Sequence, residues 1–400
     1  MHTFKYFQLF FMLLLVVACK EPREQRSNLP SFEELLVEQK GQLVLKLDFG
    51  VNFEWLISLE HISIQGADYL TFYDRITHTI YLYEVTGGDY IKKIELDKEG
   101  PNGIKSLTKF FFHTMDSIFI DSPFGVYLID SNAKIVTKKS KGAEQRNGFP
   151  VLSLDSKIYA FDTDSRLENG EIDMEIRMFN RKQNDFERAR FNFKSDSIVE
   201  EFIETRDLIY NYKDVLEEKA NIKNAGGLAL NIDRYHSSIG EYRYVSTSIS
   251  DSLYVFKNGD LLKTIYAGDP NVQIANYASY ATRRLIERFE RGINAHENPK
   301  QPPYYKGMFS SPDGRLVYRL LYHGSRPKFI EGEESAVPNS IGATLIIFDL
   351  HTNGLSYYSL PVDQIDLEKN QFVSNYGIYF RVKNQQNEDE VRFKFFKVSR

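Results

Sequence analysis

The sequence predicts an all-β fold, a six-bladed β-propeller closed by a strand from the N-terminal part of the chain. Three observations predict it. From Gly41 onward, short segments of alternating apolar residues are separated by Asp, Asn and Gly, which is typical of strands joined by tight turns. A similar phrase recurs six times. The last repeat is one strand short.

The recurring phrase is an apolar run that often ends in an acidic or amide residue. It reads IYLYE at 80–84, VYLID at 126–130, IRMFN at 176–180, LYVFK at 253–257, LIIFD at 345–349 and FKFFK at 393–397. We assign each run to the third strand, C, of a four-stranded blade, with strands A and B before it and strand D after it. A pair of β-sandwich sheets would also give short strands, but it should not repeat one phrase, so we favour the propeller.

The sixth repeat predicts how the ring closes. It places strand A at 371–374, strand B at 377–382 and strand C at 391–398, and no segment for strand D follows before Arg400. An open blade would expose a strand edge. We therefore expect QLVLKLDF at 42–49 to supply strand D.

Composition limits the function classes. The 400 residues carry 50 Lys and Arg against 55 Asp and Glu, a net charge of -5, so we expect no nucleic-acid partner. The single cysteine excludes an intrachain disulfide and a cysteine-based zinc site. Aromatic residues make up 14%, which favours strands.

The N-terminus predicts a lipid anchor. Lys5 precedes an apolar run from Phe7 to Ala18, and such a run is shorter than the roughly 20 residues of a membrane-spanning helix. Val16-Val17-Ala18-Cys19 resembles the bacterial lipobox, in which the cysteine is lipidated and becomes the first residue. We therefore expect a signal peptide at 1–18 and lipid on Cys19. The alternative is a buried thiol at the end of an uncleaved hydrophobic anchor.

The expected organisation after the signal peptide is a lipidated tether at 19–40 and one propeller domain at 41–400. Ser31 and Glu34 have the spacing of a capping box for one or two helical turns within the tether. We expect a monomer in the bacterial cell envelope, held by its acyl chains in the outer membrane, facing either the periplasm or the cell surface.

The chain resembles the lipoproteins of the domain-of-unknown-function 4221 family of Bacteroidota. The resemblance covers most of 41–400 and rests on the hairpin from FYD at 72–74 to IYLYE at 80–84, on EGPNGI at 99–104, and on the lipobox. It implies a six-bladed propeller at the envelope and brings no catalytic residue. The insertion at 275–292 departs from the family pattern.

Antiparallel order in each blade sorts the connections into two sets. The D-to-A and B-to-C connections lie on one face of the ring, here called the insertion face, and the A-to-B and C-to-D connections lie on the opposite face. The long segments 194–227, 267–303 and 324–342 all fall on the insertion face, so we predict that a ligand binds there.

Residues 275–292 read as a helical insertion. Its arginines could line an anion or glycan site, and the alternative is a solvated helix that covers the channel mouth. The candidate ligand-binding residues in it are Arg283, Arg284 and Arg288.

Three further residues are candidates for ligand contact. Asn102 lies in the EGPNG turn, whose glycines and proline would otherwise only shape a tight turn. His236 and His323 could approach the ring interior, although a hydrogen-bonded structural histidine is the alternative for each.

Catalytic and metal signals are weak. The 8 histidines lack metal-ligand spacing, and DTDSRLENGEID at 162–173 resembles a calcium loop but has Arg166 and Leu167 at unsuitable positions. We interpret 162–173 as a solvated B-to-C connection, and we expect no cofactor and no metal.

Two classes of function remain. We favour a non-catalytic binding or scaffold module for a protein, peptide or glycan partner. The alternative is a propeller hydrolase, lyase or lactonase with its site in the central channel, which would gather carboxylates or histidines from several blades.

Overall fold

The computed structural model describes the chain as strands and turns. It describes residues 31–32, 35–48, 51, 56–139, 145–146, 149–150, 157–161, 167–178, 187–195, 197–203, 234–248, 250–257, 260–272, 303–328, 337–367, 371–383, 385, 387 and 389–399. No helix occurs in these ranges. The signal peptide, Cys19 and the insertion at 275–292 lie outside them.

The strands are numbered in chain order. Two come first, β1 (Ser31–Phe32) and β2 (Leu36–Lys46). Blade one contains β3 (Leu56–Ile64), β4 (Ala67–Asp74), β5 (Thr79–Glu84) and β6 (Tyr90–Glu95). Blade two contains β7 (Lys109–Thr114), β8 (Ser117–Ser122), β9 (Gly125–Ile129) and β10 (Ile135–Lys139).

The middle of the chain continues the pattern. A short hairpin of β11 (Gln145–Arg146) and β12 (Phe149–Pro150) precedes blade three. Blade three contains β13 (Lys157–Phe161), the short β14 (Leu167–Glu168), β15 (Glu171–Met178), β16 (Glu187–Asn192) and β17 (Ser197–Ile203). Blade four contains β18 (Arg234–Ile239), β19 (Tyr242–Thr247), β20 (Ser252–Lys257) and β21 (Asp260–Tyr266).

The last two blades complete the series. Blade five contains β22 (Tyr304–Ser310), β23 (Leu316–Tyr322), β26 (Ala343–Asp349) and β27 (Gly354–Ser359). Between its B and C strands lies a hairpin of β24 (Ser325–Lys328) and β25 (Val337–Ser340). Blade six contains β28 (Gln371–Ser374), β29 (Gly377–Arg381) and β30 (Glu390–Ser399).

Strand pairing confirms the propeller and its closure. The described strands form six blade sheets, and the fourth strand of blade six is β2, in the order β2-β30-β29-β28. The pairing of β2 with β30 is antiparallel and runs from Leu36 opposite Ser399 to Lys46 opposite Glu390. Strand β2 and the last described strand are therefore hydrogen-bonded neighbours in one sheet.

The closing strand begins earlier than the sequence predicts. It covers 36–46 rather than 42–49, so pairing reaches into the range assigned to the tether. The sequence predicts one or two helical turns that begin at Ser31. The structure instead has a short strand, β1, at Ser31 and Phe32. Strand pairing satisfies the backbone groups of β1 and β2 that a tether would leave to water.

Blade three departs from the strand assignment of the sequence. Residues 176–178 of the recurring phrase lie in β15, which is the second strand of its sheet, so the assignment of that copy to strand C is wrong. The segment 162–173 is consequently an A-to-B connection, not the B-to-C connection that we expected. Part of it is a hairpin in which Leu167 pairs with Ile172, with Asn169 and Gly170 at positive φ.

The cores lie between neighbouring blades. Because blades one, two, five and six each pack between two others, their central strands are buried on both faces and read as continuous apolar runs, as in β26. In contrast, the outer strand β21 buries only Ile265. The core between blades six and one is filled by large side chains, including Leu43, Leu45, Phe72, Tyr83, Tyr379 and Phe393.

A glycine lies where blade one meets the closing strand. Gly88 is in the C-to-D turn of blade one, with φ of +74°, and a Cβ added there would lie 2.1 Å from the carbonyl oxygen of Val44 in β2. Gly66, in the A-to-B turn of the same blade, has φ of +83° and no atom within 4 Å of such a Cβ. The two positions share the backbone strain and differ in the contact with β2.

We expect Gly88→Ala to lower the free energy of unfolding by about 2–4 kcal/mol, because left-handed strain and overpacking add. Gly66→Ala should lose only the strain, about 1–2 kcal/mol. Urea unfolding followed by circular dichroism measures both. Equal losses in the two variants would contradict the close approach of β2 to blade one.

Candidate functional site

The candidate site on the insertion face centres on His323, which follows strand B of blade five. Its Nε2 lies 2.8 Å from Oγ1 of Thr344, and Thr344 Oγ1 donates a hydrogen bond of 3.2 Å to Oδ2 of Asp269. Asp269 lies in the D-to-A connection that follows β21, and its Oδ1 accepts a hydrogen bond from the backbone N–H of Asn271. The three side chains thus join blade five to the end of blade four.

The hydrogen bonds define the state of the imidazole. Because the single proton of Thr344 Oγ1 goes to the carboxylate of Asp269, the hydroxyl oxygen accepts from His323 Nε2–H. Nδ1 then carries the lone pair. Burial lowers the pKa of His323 below its usual range, although the charge of Asp269 opposes this shift. His323 is therefore a neutral ring with its proton on Nε2 and its lone pair on Nδ1.

Gly342 lies against the Nδ1 side of this ring. A Cβ at position 342 would lie 2.8 Å from His323 Nδ1, so any other residue would crowd that nitrogen. The backbone N–H of His323 also donates to the carbonyl of Gly342 at 2.9 Å. The sequence singled out His323, and the structure gives it partners, Thr344 and Asp269, that lie far from it in the chain.

Asn102 takes part in holding the EGPNGI segment. Its Oδ1 accepts a hydrogen bond of 3.1 Å from the backbone N–H of Ile135 at the start of β10. Gly103 donates to the carbonyl of Gly100 at 3.0 Å, and a Cβ at Gly103 would lie 2.7 Å from the backbone of Glu99. These contacts match the tight-turn interpretation, and they place Asn102 at the junction of blades one and two.

His78 forms a hydrogen bond to the same segment. Its Nε2 donates to the carbonyl of Ile104 at 2.8 Å, while its Nδ1 contacts the hydroxyl of Tyr73. Burial lowers the pKa of His78, in keeping with a neutral, structural imidazole. Ile104 itself is buried in the core between blades one and two.

The remaining candidates do not join His323. His236 lies in β18, the innermost strand of blade four, opposite Val245. Arg283, Arg284 and Arg288 lie outside the described residues, and Asn102 lies in a different part of the ring. A role of these residues in ligand binding stays a prediction.

Arg319 is a buried cation that the sequence analysis missed. It lies in β23, is 2% exposed, and its guanidinium carbon is 3.3 Å from the ring centroid of Tyr305. Its Nε donates to Ser246 Oγ at 2.8 Å and its Nη1 to the carbonyl of Ala267 at 2.9 Å; Nη2 donates to the carbonyls of Thr247 and Ser250. The hydrogen bonds of Arg319 therefore link blade five to strand B of blade four and to the connections that follow its strands B and D.

Tyr305 extends this cluster. Its hydroxyl donates a hydrogen bond of 2.5 Å to Oδ1 of Asp251, and burial raises the pKa of the phenol, which keeps it protonated. Asp251 thereby supplies a carboxylate near Arg319 without touching it. An arginine within the apolar run LVYRLLY at 316–322 was the one sequence signal for this cluster.

A second polar cluster lies on the opposite face between blades six and one. The amide nitrogen of Asn375 lies 2.8 Å from both carboxylate oxygens of Asp68, and His61 Nε2 lies 3.1 Å from Asp68 Oδ1. Burial lowers the pKa of His61 despite the neighbouring carboxylate. Because Asn375 belongs to the A-to-B turn of blade six, this cluster ties the first and last blades together.

The opposite face also carries a cavity of about 530 Å³ between blades one and two. Its walls are the apolar side chains of Leu82, Ile94, Phe112 and Met115, and the polar groups at its rim are those of Lys92, Asp116, Ser131 and Asn132. A hydrogen bond from the backbone N–H of Ser131 lowers the pKa of Asp116, which stays ionised. No pattern in the sequence predicts this cavity, since two blades must meet to form it.

The described part of the chain shows neither a metal site nor a membrane-spanning helix. No group of three or more His, Cys, Asp and Glu side chains there could hold a metal ion. No helix within those same ranges is long and apolar enough to cross a membrane.

The fold and the candidate site together define a β-propeller whose described polar clusters mainly join blades, with the imidazole of His323 on the insertion face. The domain of unknown function DUF4221 matches residues 41–282. The chain belongs to this family, as the resemblance in its sequence predicts.

One solved structure supports the fold, and others show a weaker similarity. A member of the DUF4221 family from Bacteroides vulgatus ATCC 8482 is 14% identical, with a TM-score of 0.64 over 92% of this chain and 99% of that one. A protein described as exported, from Bacteroides fragilis NCTC 9343, is 10% identical, with a TM-score of 0.48 over 93% and 100%. The WD40 domain of Pan2 from Neurospora crassa is 8% identical, with a TM-score of 0.39 over 92% and 97%. No curated protein matches the sequence.

Proposed function

We propose that this chain is a lipoprotein of the bacterial outer membrane that binds a protein, peptide or glycan partner on its insertion face without catalysis. One observation carries the proposal. Strand D of blades three and four and strand B of blade five all end at the same face of the ring, and the connections that follow them, 204–233, 267–303 and 323–342, are long. Long connections on a rigid scaffold are where binding surfaces are usually built.

The site geometry supports binding on that face. His323 belongs to the last of these connections, and its neutral ring offers Nδ1 as a hydrogen-bond acceptor to a hydroxyl, amide or amine of a partner. Its orientation is fixed by Thr344 and Asp269, so the acceptor is positioned before the partner arrives. The proposed lipid anchor rests on the sequence Val16-Val17-Ala18-Cys19.

Two experiments test the proposal. Labelling of cells with an alkyne-tagged palmitate should mark the wild-type chain, while Cys19→Ala should carry no label and leave the membrane fraction. Label on Cys19→Ala would overturn the anchor.

The binding face is tested with a photo-crosslinking amino acid placed beyond either end of β5. Arg75 is exposed in the B-to-C turn on the insertion face and Thr86 is exposed in the C-to-D turn on the opposite face, so the two positions are a matched pair in one blade. In native envelopes, we expect a discrete adduct from position 75 and none from position 86. The reverse pattern, or the same adducts from both positions, would contradict the assignment of the face.

A further inference from the structure

The tether joins the ring at a defined place. Strand β1 adds to the outer edge of blade five, parallel to β27, with Ser31 opposite Gly354 and Phe32 opposite Leu355. Leu35 follows, 8% exposed in the core of blades five and six, and its backbone N–H donates to Ser356 Oγ at 3.2 Å. The chain is therefore attached to blade five before it enters blade six as β2.

The direction of these strands gives the face from which the tether arrives. Gly354 is the first residue of β27 and directly follows the C-to-D turn of blade five, so it lies at the opposite face. Because β1 runs parallel to β27 from that level, Ser31 also lies at the opposite face. Leu36 agrees, since it pairs with Ser399 at the end of strand C of blade six.

We propose that the opposite face is the surface turned toward the lipid bilayer, and that the insertion face is directed away from it. This inference rests on the proposed lipid attachment at Cys19. Residues 19–30 span at most about 40 Å at roughly 3.3 Å each. The 19–40 tether expected from the sequence would reach about 70 Å.

With the shorter tether, the opposite face can reach the bilayer more easily than the insertion face can. With the insertion face toward the membrane, the tether would first have to run back along the height of a blade. A strand of six residues such as β6 is about 20 Å long at 3.3 Å per residue, so half of the reach would be used. The long connections on the insertion face would also have to fit beneath the ring.

The partner of the insertion face is then reached through the aqueous compartment, not within the bilayer that holds the acyl chains. The net charge of -5 offers no general attraction to anionic lipid, so the tether and its attachment to blade five set the orientation.

Energy transfer to lipid tests the orientation. A donor dye is attached to Thr86→Cys or to Arg75→Cys in the mature lipidated chain, where an alkylated Cys19 leaves the introduced thiol as the only free one. The acceptor is rhodamine-labelled phosphatidylethanolamine in phosphatidylcholine vesicles. We expect transfer from position 86 to exceed that from position 75 about twofold or more, because β5 separates them by about 20 Å. Equal transfer, or more from position 75, would overturn the proposal.

A second version separates this inference from the lipidation itself. Cys19→Ser chains with six histidines before residue 20 are bound to the same vesicles through a nickel-chelating lipid. The same order of transfer is expected, because β1 and β2 are unchanged. If the native chain carries no lipid, the proposed anchor fails while this version still decides the orientation. Moving β1 away from the anchor with a flexible insert of about 20 residues, or about 25 Å of mean reach, between 30 and 31 should remove the difference.

Discussion

A chain lacking residues 36–46 is expected to lose its cooperative unfolding transition. The deletion removes β2, which supplies the fourth strand of blade six and pairs with β30 along its whole length. It also removes Leu43 and Leu45, which are 4% and 0% exposed in the core between blades six and one. Loss of a buried leucine side chain costs about 2–5 kcal/mol, so two of them and a strand approach the 5–15 kcal/mol stability of a domain.

Differential scanning calorimetry measures the effect, with a deletion of residues 20–30 as the matched control. The control removes a similar length of chain and leaves β1 and β2 intact, so its melting temperature should stay within about 2 °C of the full chain. A chain without residues 36–46 that melts in one sharp transition near the temperature of the full chain would contradict closure by β2.

Arg319→Ala is expected to destabilise the fold by about 3–5 kcal/mol. The substitution leaves the carbonyls of Ala267, Thr247 and Ser250 and the hydroxyl of Ser246 without their buried donor. It also opens a cavity against the ring of Tyr305. The lost hydrogen bonds and the cavity both weaken the contact between blades four and five.

Arg319→Lys is the informative control. An ammonium group keeps the charge but cannot reach acceptors in the directions that the planar guanidinium serves, so a loss of about 2–3 kcal/mol should remain. Urea unfolding gives both values. If the lysine variant were as stable as the wild type, charge alone would explain Arg319 and the hydrogen-bond network would not matter. A neutral effect of alanine would contradict the network outright.

The fold was predictable because the same apolar run repeats along the chain. Five of the six recurring runs lie on strand C, and the missing strand of blade six correctly indicated an N-terminal partner. The error in blade three has a physical cause, since strands B and C are both buried between blades and carry the same kind of apolar run. The start of β2 was missed because LVEQK at 36–40 is mostly polar, and only its pairing with β30 makes it a strand.

The candidate site was predictable only in part. His323 was identified from the sequence, but Thr344 and Asp269 are brought to it by the packing of two blades, and no local pattern reports such contacts. The same applies to the cavity beside Met115 and to the cluster around Asp68. Tertiary contacts between distant segments leave no mark on hydrophobic periodicity.

Disulfide trapping across the closing seam tests the central claim most directly. In a Cys19→Ser background, Val44→Cys and Arg392→Cys are placed opposite each other in β2 and β30. Directly opposed residues in antiparallel strands lie within disulfide reach. Val44→Cys with Lys397→Cys is the register control, since five residues along a strand are about 16 Å.

Closure of the ring by β2 predicts that mild oxidation links the opposed pair within the monomer and leaves the control pair free, as seen by electrophoresis without reductant. Equal linkage of both pairs, or none of the opposed pair in folded protein, would contradict it.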